Sequence, residues 1–215
     1  VNASAPPGRI ANVPGADAAT TLYFVRHAES DLRHTSDATR PLTRKGLHDR
    51  ALVKRYLVGK AIAAIYSSPY RRAIDTLLPL AEALGLPIQP VDDFCERMVA
   101  PGRWIANYDD YARRQWSDFD YALPGGESLR QVQTRNVAAC GRLLRAHAEQ
   151  TVVVGSHGTA LSTIIQHFDP TYGYADFRRI QGLMPWIVRF VFVQGQCADV
   201  TSIDVFAEAQ ASALG

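Results

Sequence analysis

Long apolar runs are missing from this chain. None approaches the roughly 18 residues that a membrane-spanning helix needs, and the strongest, Trp186 to Val193, is interrupted by Arg189. A soluble protein with no membrane partner is therefore expected. Net charge is scarce too: 23 Lys and Arg face 21 Asp and Glu, leaving +2. A dedicated nucleic-acid binder normally carries a far larger basic excess, so no nucleic-acid partner is expected. The three cysteines, Cys95, Cys140 and Cys197, form no C-x-x-C pair. That excludes a zinc knuckle and a disulfide framework and leaves separate, buried thiols. Residues 1 to 20 lack a basic start followed by an apolar run, so no intact signal peptide is visible and a cytoplasmic location is expected, unless an earlier leader has been removed. Also absent are a P-loop, a G-x-S-x-G nucleophile elbow, an H-E-x-x-H metal motif and any internal repeat.

What is present is one core's worth of apolar residues, 47% of 215 positions. Pro6, Pro7, Gly8, Pro14 and Gly15 break up the start of the chain, which reads as a flexible tail over 1–20 ahead of one domain over 21–215. Strand-type runs at Leu22 to Val25, Ala61 to Tyr66 and Thr151 to Gly155 alternate with helical patterns. The first helix is expected from a Thr43 cap to about Val58, and the second from a Ser68 cap with Pro69 at its first position. A third opens at the capping-box pair Ser128 and Gln131 and runs towards Gln150, and a fourth is expected over Thr159 to Phe168. Trp186 to Val193 and Ala198 to Phe206, parted by Gly195, read as a closing hairpin. The alternation predicts a three-layer α/β/α sandwich with a mostly parallel central sheet.

Residues 92–126 differ in being a long connection rich in aromatics: Phe94, Trp104, Tyr108, Tyr111, Trp116, Phe119 and Tyr121. Trp104, Tyr108 and Tyr111 have the spacing of one packed face of a short helix, and the whole segment reads as a cap over the site. Arg97, Arg103, Arg113 and Arg114 in it could bind a second anionic group or pair with Asp109, Asp110, Asp118 and Asp120.

Two strands end in histidine, at Val25-Arg26-His27 and at Gly155-Ser156-His157-Gly158, and a third leads into Ser67-Ser68-Pro69-Tyr70-Arg71-Arg72. Ligands of open α/β sheets bind beyond the carboxyl ends of the strands. Guanidinium groups and helix N-termini suit a phosphoryl group, and a neutral imidazole can attack phosphorus once its charge is neutralised.

With Arg26-His27-Ala28-Glu29-Ser30, Pro41-Leu42-Thr43 with Gly46, Ser67-Ser68-Pro69 through Arg72-Ala73 to Thr76, Glu96-Arg97, Pro124 to Leu129 and Ser156-His157-Gly158, the sequence resembles the phosphoglycerate mutase-like branch of the histidine phosphatase superfamily. The resemblance implies that His27 is a nucleophile becoming phosphohistidine. It implies that Arg26, Arg72 and His157 hold the phosphoryl group and that Glu96 is general acid and then general base. Ser30, within the first motif, is a further candidate substrate contact; Arg33 could supply charge to the pocket or face solvent, and Arg97, next to Glu96, is the cation of residues 92–126 best placed to reach substrate. No metal and no other cofactor is implied, and a homodimer is consistent with the family. There are departures. Ala28 replaces a common glycine, Arg33 stands where many members carry an Asn, and the segment after Arg97 lacks the usual Gly-x-Trp-Glu-Gly pattern, leaving Asp92 and Asp93 as substitutes for Glu96. Activity is expected to favour mildly acidic to neutral pH. The implied function is a phosphomonoesterase for a small phosphorylated metabolite. The alternatives are a phosphoprotein or phosphohistidine phosphatase, a mutase, or a non-catalytic phosphate-binding module.

Overall fold

The computed structural model describes residues 19–100 and 105–211. Its first strand, β1 (Ala19–Arg26), begins slightly before the expected start, because Ala19 and Thr20 pair with Val193 and Phe192. The rest of the expected tail lies outside the described residues. There follow α1 (Arg44–Leu57), β2 (Ile62–Ser67), α2 (Arg71–Leu84), a short β3 (Ile88–Pro90) and a 3-10 turn at Asp92–Phe94. The cap helix α3 (Tyr108–Ser117) leads to α4 (Leu129–Ala146), β4 (Thr151–Ser156), α5 (Gly158–Phe168) and α6 (Tyr174–Arg179). The hairpin β5 (Trp186–Val193) and β6 (Gln196–Ile203) and then α7 (Val205–Ala211) complete the described chain.

Local chemistry explains most boundaries. Thr43 Oγ1 accepts the Gly46 amide at 3.0 Å and caps α1. Ser128 and Gln131 form the reciprocal capping box of α4 at 3.2 and 2.9 Å. Gly85, at φ 65°, closes α2 in the left-handed conformation. One expected start is corrected: α2 begins at Arg71 with Tyr70 at the cap position, so Ser68 lies two residues too early to cap it; its Oγ accepts the Tyr70 amide at 3.3 Å and meets His157 Nε2 at 2.8 Å. Also corrected is the burial of all three thiols, since Cys140 is buried but Cys95 and Cys197 are only partly so.

The sheet order is β3-β2-β4-β1-β5-β6. The pairings β3·β2, β2·β4 and β4·β1 are parallel, and β1·β5 and β5·β6 antiparallel. Alternation along the central strands splits the core into two layers. Leu22, Phe24, Val152 and Val154 pack with Cys140, Leu143, Leu161 and Ile164 of α4 and α5, while Tyr23, Val25 and Val153 pack with Val53, Leu57, Leu77 and Leu80 of α1 and α2. Each fully buried side chain of this size contributes about 1.5–3 kcal/mol, so the strands whose ends carry His27 and His157 are anchored on both faces. Among the described residues no helix is long and apolar enough to cross a membrane.

Gly126 closes the 92–126 segment onto its own beginning. A Cβ there would come 1.9 Å from the Val99 carbonyl oxygen, so only glycine lets the returning chain lie against Val99. The neighbouring Glu127 amide donates to Met98 O at 2.7 Å, and the Glu127 carboxylate holds Arg135 of α4 at 2.8 and 2.9 Å. The cap is thereby tied at both ends, with Trp104 outside the described residues.

Candidate active site

The parallel register sets the two strand-end histidines side by side. Val25 lies opposite Gly155 and Arg26 opposite Ser156, and the His27 amide then donates to Ser156 O at 3.1 Å. The imidazole rings of His27 and His157 meet edge to face with centroids 5.3 Å apart. The charges of Arg72 and Arg26 act on both rings.

His27 Nδ1 lies 2.7 Å from the Ala28 carbonyl oxygen. A carbonyl only accepts, so Nδ1 carries the proton and Nε2 keeps its lone pair. Burial, then the Arg72 charge, hold the His27 imidazole well below its usual range, and the same two causes act on His157. Both rings are therefore neutral at physiological pH. His157 is fully buried, and its Nε2 lies 2.8 Å from Ser68 Oγ. A Ser68 proton given to Nε2 leaves Nδ1–H as a donor.

Arg26 is fixed through its backbone in β1 and through Nη1, which donates to the carbonyls of Ile180 at 2.5 Å and Leu183 at 3.2 Å. Its guanidinium lies flat on Gly158, where a Cβ would meet its atoms at 3.2–3.3 Å. Arg72, 2% exposed at the start of α2, donates from Nη1 to Asp37 O at 2.6 Å and pairs with the Asp37 carboxylate at 3.1 Å. Three buried nitrogens at this centre, Arg26 Nε, Arg72 Nε and His157 Nδ1, have no hydrogen-bond partner among the described residues. Buried donors are normally satisfied, and a tetrahedral oxyanion would satisfy all three.

Glu96 reaches the same centre from beyond the 3-10 turn. Its Oε1 accepts the amides of Arg97 at 2.8 Å and Ala160 at 3.1 Å, and its Oε2 accepts Thr159 at 3.0 Å. The N-terminus of α5 thus orients the carboxylate, and Oε2 keeps one lone pair for a proton. A cavity of about 260 Å³ opens beside it, lined by Arg26, Glu96, Tyr108, Gly158, Thr159, Phe177 and Gln181. Helix α3 is joined to α6 beside this cavity: Asp109 accepts the Tyr174 hydroxyl at 2.6 Å and pairs with Arg178 at 2.5 Å, while Tyr108 and Phe177 of the same two helices line it.

Five of the eight sequence-derived site residues, Arg26, His27, Arg72, Glu96 and His157, converge here. Ser30 is buried nearby, in a bridge to Leu42. Arg33 does not join them, since its side chain is 90% exposed and chelated by the Asp31 carboxylate at 2.9 and 2.8 Å. Arg97 is 4% exposed but points into the cap, donating to Gln115 and, at 2.8 Å, to the Tyr108 hydroxyl. The substitutes for Glu96 stay outside: Asp93 pairs with Arg142, and Asp92 is exposed. Arg71 is an exposed partner of Asp75. Of the other cap cations, Arg113 pairs with Asp109 and Arg114 stacks on Tyr121, while Arg103 lies outside the described residues.

Sequence reasoning missed Asp37, Gln181, Phe177 and the part Ser68 plays. Its motif position beside Pro69 was the only signal for Ser68, and it was read as a helix cap. Ser68→Ala removes the partner of His157 Nε2 and is expected to lower kcat/KM roughly tenfold, equivalent to about 1.4 kcal/mol. Steady-state kinetics on an aryl phosphate check this, and an unchanged kcat/KM contradicts the orienting bond.

The family model described as histidine phosphatase superfamily (branch 1) matches residues 22–201. Phosphoserine phosphatase 1 of Hydrogenobacter thermophilus is 31% identical over 150 residues, which is 63% of this chain and 70% of the relative. A bifunctional protein of Mycobacterium tuberculosis is 30% identical over 160 residues, 68% of this chain and 43% of the relative, so the chain spans under half of that protein's length. A phosphoglycerate mutase structure from Bacillus anthracis superposes with TM-score 0.73 at 21% identity, covering 92% of this chain and 99% of its own. That likeness is one of fold.

Proposed function

The chain belongs to branch 1 of the histidine phosphatase superfamily, and from that membership and the geometry above we propose that it is a metal-independent phosphatase hydrolysing phosphomonoesters of a small metabolite through phosphohistidine on His27. The observation that carries the reading is the His27 imidazole, whose Nδ1 is tied to the Ala28 carbonyl so that Nε2 keeps its lone pair, within the field of the Arg72 and Arg26 charges.

In the first step His27 Nε2 attacks phosphorus, and the bond from phosphorus to the ester oxygen breaks. Arg26, Arg72 and His157 Nδ1–H take up the charge on the three equatorial oxygens. Glu96, protonated in this step, gives its proton to the departing alkoxide. In the second step a water attacks the phosphohistidine, Glu96 as carboxylate takes the water's proton, the phosphorus–nitrogen bond breaks, and its electron pair returns to Nε2. Charge neutralisation comes from the two arginines, so chelator is expected to leave turnover unchanged.

The experiment compares Glu96→Gln on two esters, one alkyl with a poor leaving group and one aryl with a good one. Only the alkyl ester needs the proton, so its kcat/KM is expected to fall roughly 100-fold more than that of the aryl ester. Any disturbance of the backbone amides that hold Glu96 is common to both esters and cancels in the ratio. Equal losses contradict the acid role.

A further inference from the structure

Thr76 takes part in neither chemical step, yet its hydroxyl, on a side chain 1% exposed in the second turn of α2, joins the two halves of the site. Its Oγ1 donates to the Arg72 carbonyl at 2.7 Å and accepts the Ala28 amide at 2.9 Å. Both directions are fixed, because a carbonyl only accepts and an amide only donates. The first bond is the ordinary contact of a helical threonine with the carbonyl four residues back. The second crosses from α2 to the turn after β1, 48 residues away, and it bears on His27. Ala28 is fully buried, so its amide is shielded from water, and its carbonyl is the group that holds the His27 Nδ1 proton at 2.7 Å. The next residue is clamped by α1 instead. The Glu29 carbonyl accepts the Thr43 amide at 2.9 Å, the Glu29 carboxylate accepts Thr43 Oγ1 at 2.7 Å, and a Cβ on Gly46 would come 2.1 Å from the Glu29 carbonyl oxygen. The turn behind the nucleophile is thus gripped by both helices of this layer, and Thr76 is the grip on Ala28.

We propose that Thr76 is a positioning residue for the nucleophile. Its hydroxyl sets the backbone of Ala28 so that the Ala28 carbonyl keeps the proton on His27 Nδ1 and the lone pair on Nε2, and it ties that setting to the start of α2, where Arg72 stands. The inference rests on the phosphatase reading above and adds to it a residue that acts through Ala28. Without the hydroxyl a buried amide loses its partner, and the Ala28 backbone shifts to find another. The carbonyl moves with it, Nδ1 loses its fixed acceptor, and rings with the proton on Nε2 gain population. Such a ring has no lone pair on the attacking atom. The phosphate-binding side chains are held elsewhere: Arg26 by the Ile180 and Leu183 carbonyls, Arg72 by Asp37 and His157 by Ser68. Attack is therefore slowed while phosphate binding survives.

The test uses the whole chain and compares Thr76→Ser with Thr76→Ala, which differ by one oxygen, and adds Thr76→Val, closest to wild type in shape. With an aryl phosphate, kcat/KM is expected to fall roughly 30-fold in Thr76→Ala and Thr76→Val, while the inhibition constant of inorganic phosphate stays within about threefold of wild type. Thr76→Ser is expected to lie within about threefold of wild type in both quantities. Nitrogen-15 NMR of the imidazoles, with His27 assigned by its absence from His27→Ala, is expected to show a bare Nε2 in wild type and Thr76→Ser. In Thr76→Ala a share of the His27 rings is expected to carry the proton on Nε2. Unchanged kcat/KM in Thr76→Ala overturns the inference, and so does a Thr76→Ser protein as slow as Thr76→Ala. Phosphate affinity that falls as far as kcat/KM also overturns it, because the whole site has then loosened. Should Thr76→Val not fold, the comparison of Thr76→Ser with Thr76→Ala decides alone. No phosphate release by wild type overturns the phosphatase reading; the tautomer measurement still stands, and a proton that stays wholly on Nδ1 in Thr76→Ala overturns the part given to Thr76.

Discussion

His27→Ala is expected to lower kcat/KM for an aryl phosphate by at least about 10⁴-fold, because it removes the attacking atom itself. No neighbour can replace it. His157 Nε2 is engaged by Ser68 Oγ at 2.8 Å, and its Nδ1 lies on the side of the ring that the account assigns to the phosphoryl oxygens. The donors Arg26, Arg72 and His157 all survive the substitution, so inorganic phosphate is expected to bind the variant with affinity within about tenfold of wild type. Loss of turnover with retained phosphate binding separates a missing nucleophile from a collapsed site. Unchanged turnover contradicts the mechanism outright.

Removing the charge of Arg72 is expected to have the next largest effect. Arg72→Met keeps the length and apolar bulk of a side chain that is 2% exposed, and it deletes the guanidinium that Asp37 aims. One lost donor to a developing oxyanion costs roughly 10²–10³-fold in kcat. The variant also shifts the pH profile, and the sign is fixed by electrostatics. Burial and the Arg72 charge together hold His27 well below the usual imidazole range. Without that charge the imidazole protonates at higher pH, and a protonated ring cannot attack. The acid-side loss of activity is thus expected to begin at higher pH in Arg72→Met than in wild type. An acid limb that stays in place, measured as kcat/KM against pH, contradicts the coupling of Arg72 to His27.

Much of this site was legible because its parts lie where local chemistry and strand pattern are strongest. The apolar runs at Leu22 to Val25 and Val152 to Val154 made both strands plain, and each leads straight into a histidine. Thr43 and Ser128 declared their helices by cap chemistry that the structure reproduces. The misreadings share a cause: a polar side chain that could serve locally was drawn to a distant partner, or the reverse. Ser68 had the sequence context of a cap, and its Oγ does accept the nearby Tyr70 amide, but the same hydroxyl also meets His157, far along the chain. Arg33 had the position of a phosphate contact, but Asp31 two residues away chelates it at the surface. Asp37 and Gln181 were invisible because nothing in their own segments distinguishes them; Asp37 gains its role only where the 31–40 loop meets Arg72, and Gln181, just past α6, only by lining the cavity beside Glu96. The short strand β3 was lost because three residues carry no periodicity.

The proposed mechanism stands or falls on a covalent phosphoryl group on Nε2 of His27. Rapid quenching of the enzyme into base during turnover of an aryl phosphate, followed by mass spectrometry of the peptides, tests it most directly. A base-stable, acid-labile phosphohistidine is expected on the peptide carrying His27 and is expected to be absent from His27→Ala. Steady turnover with no phosphopeptide at any quench time, or with the label on another residue, would contradict it.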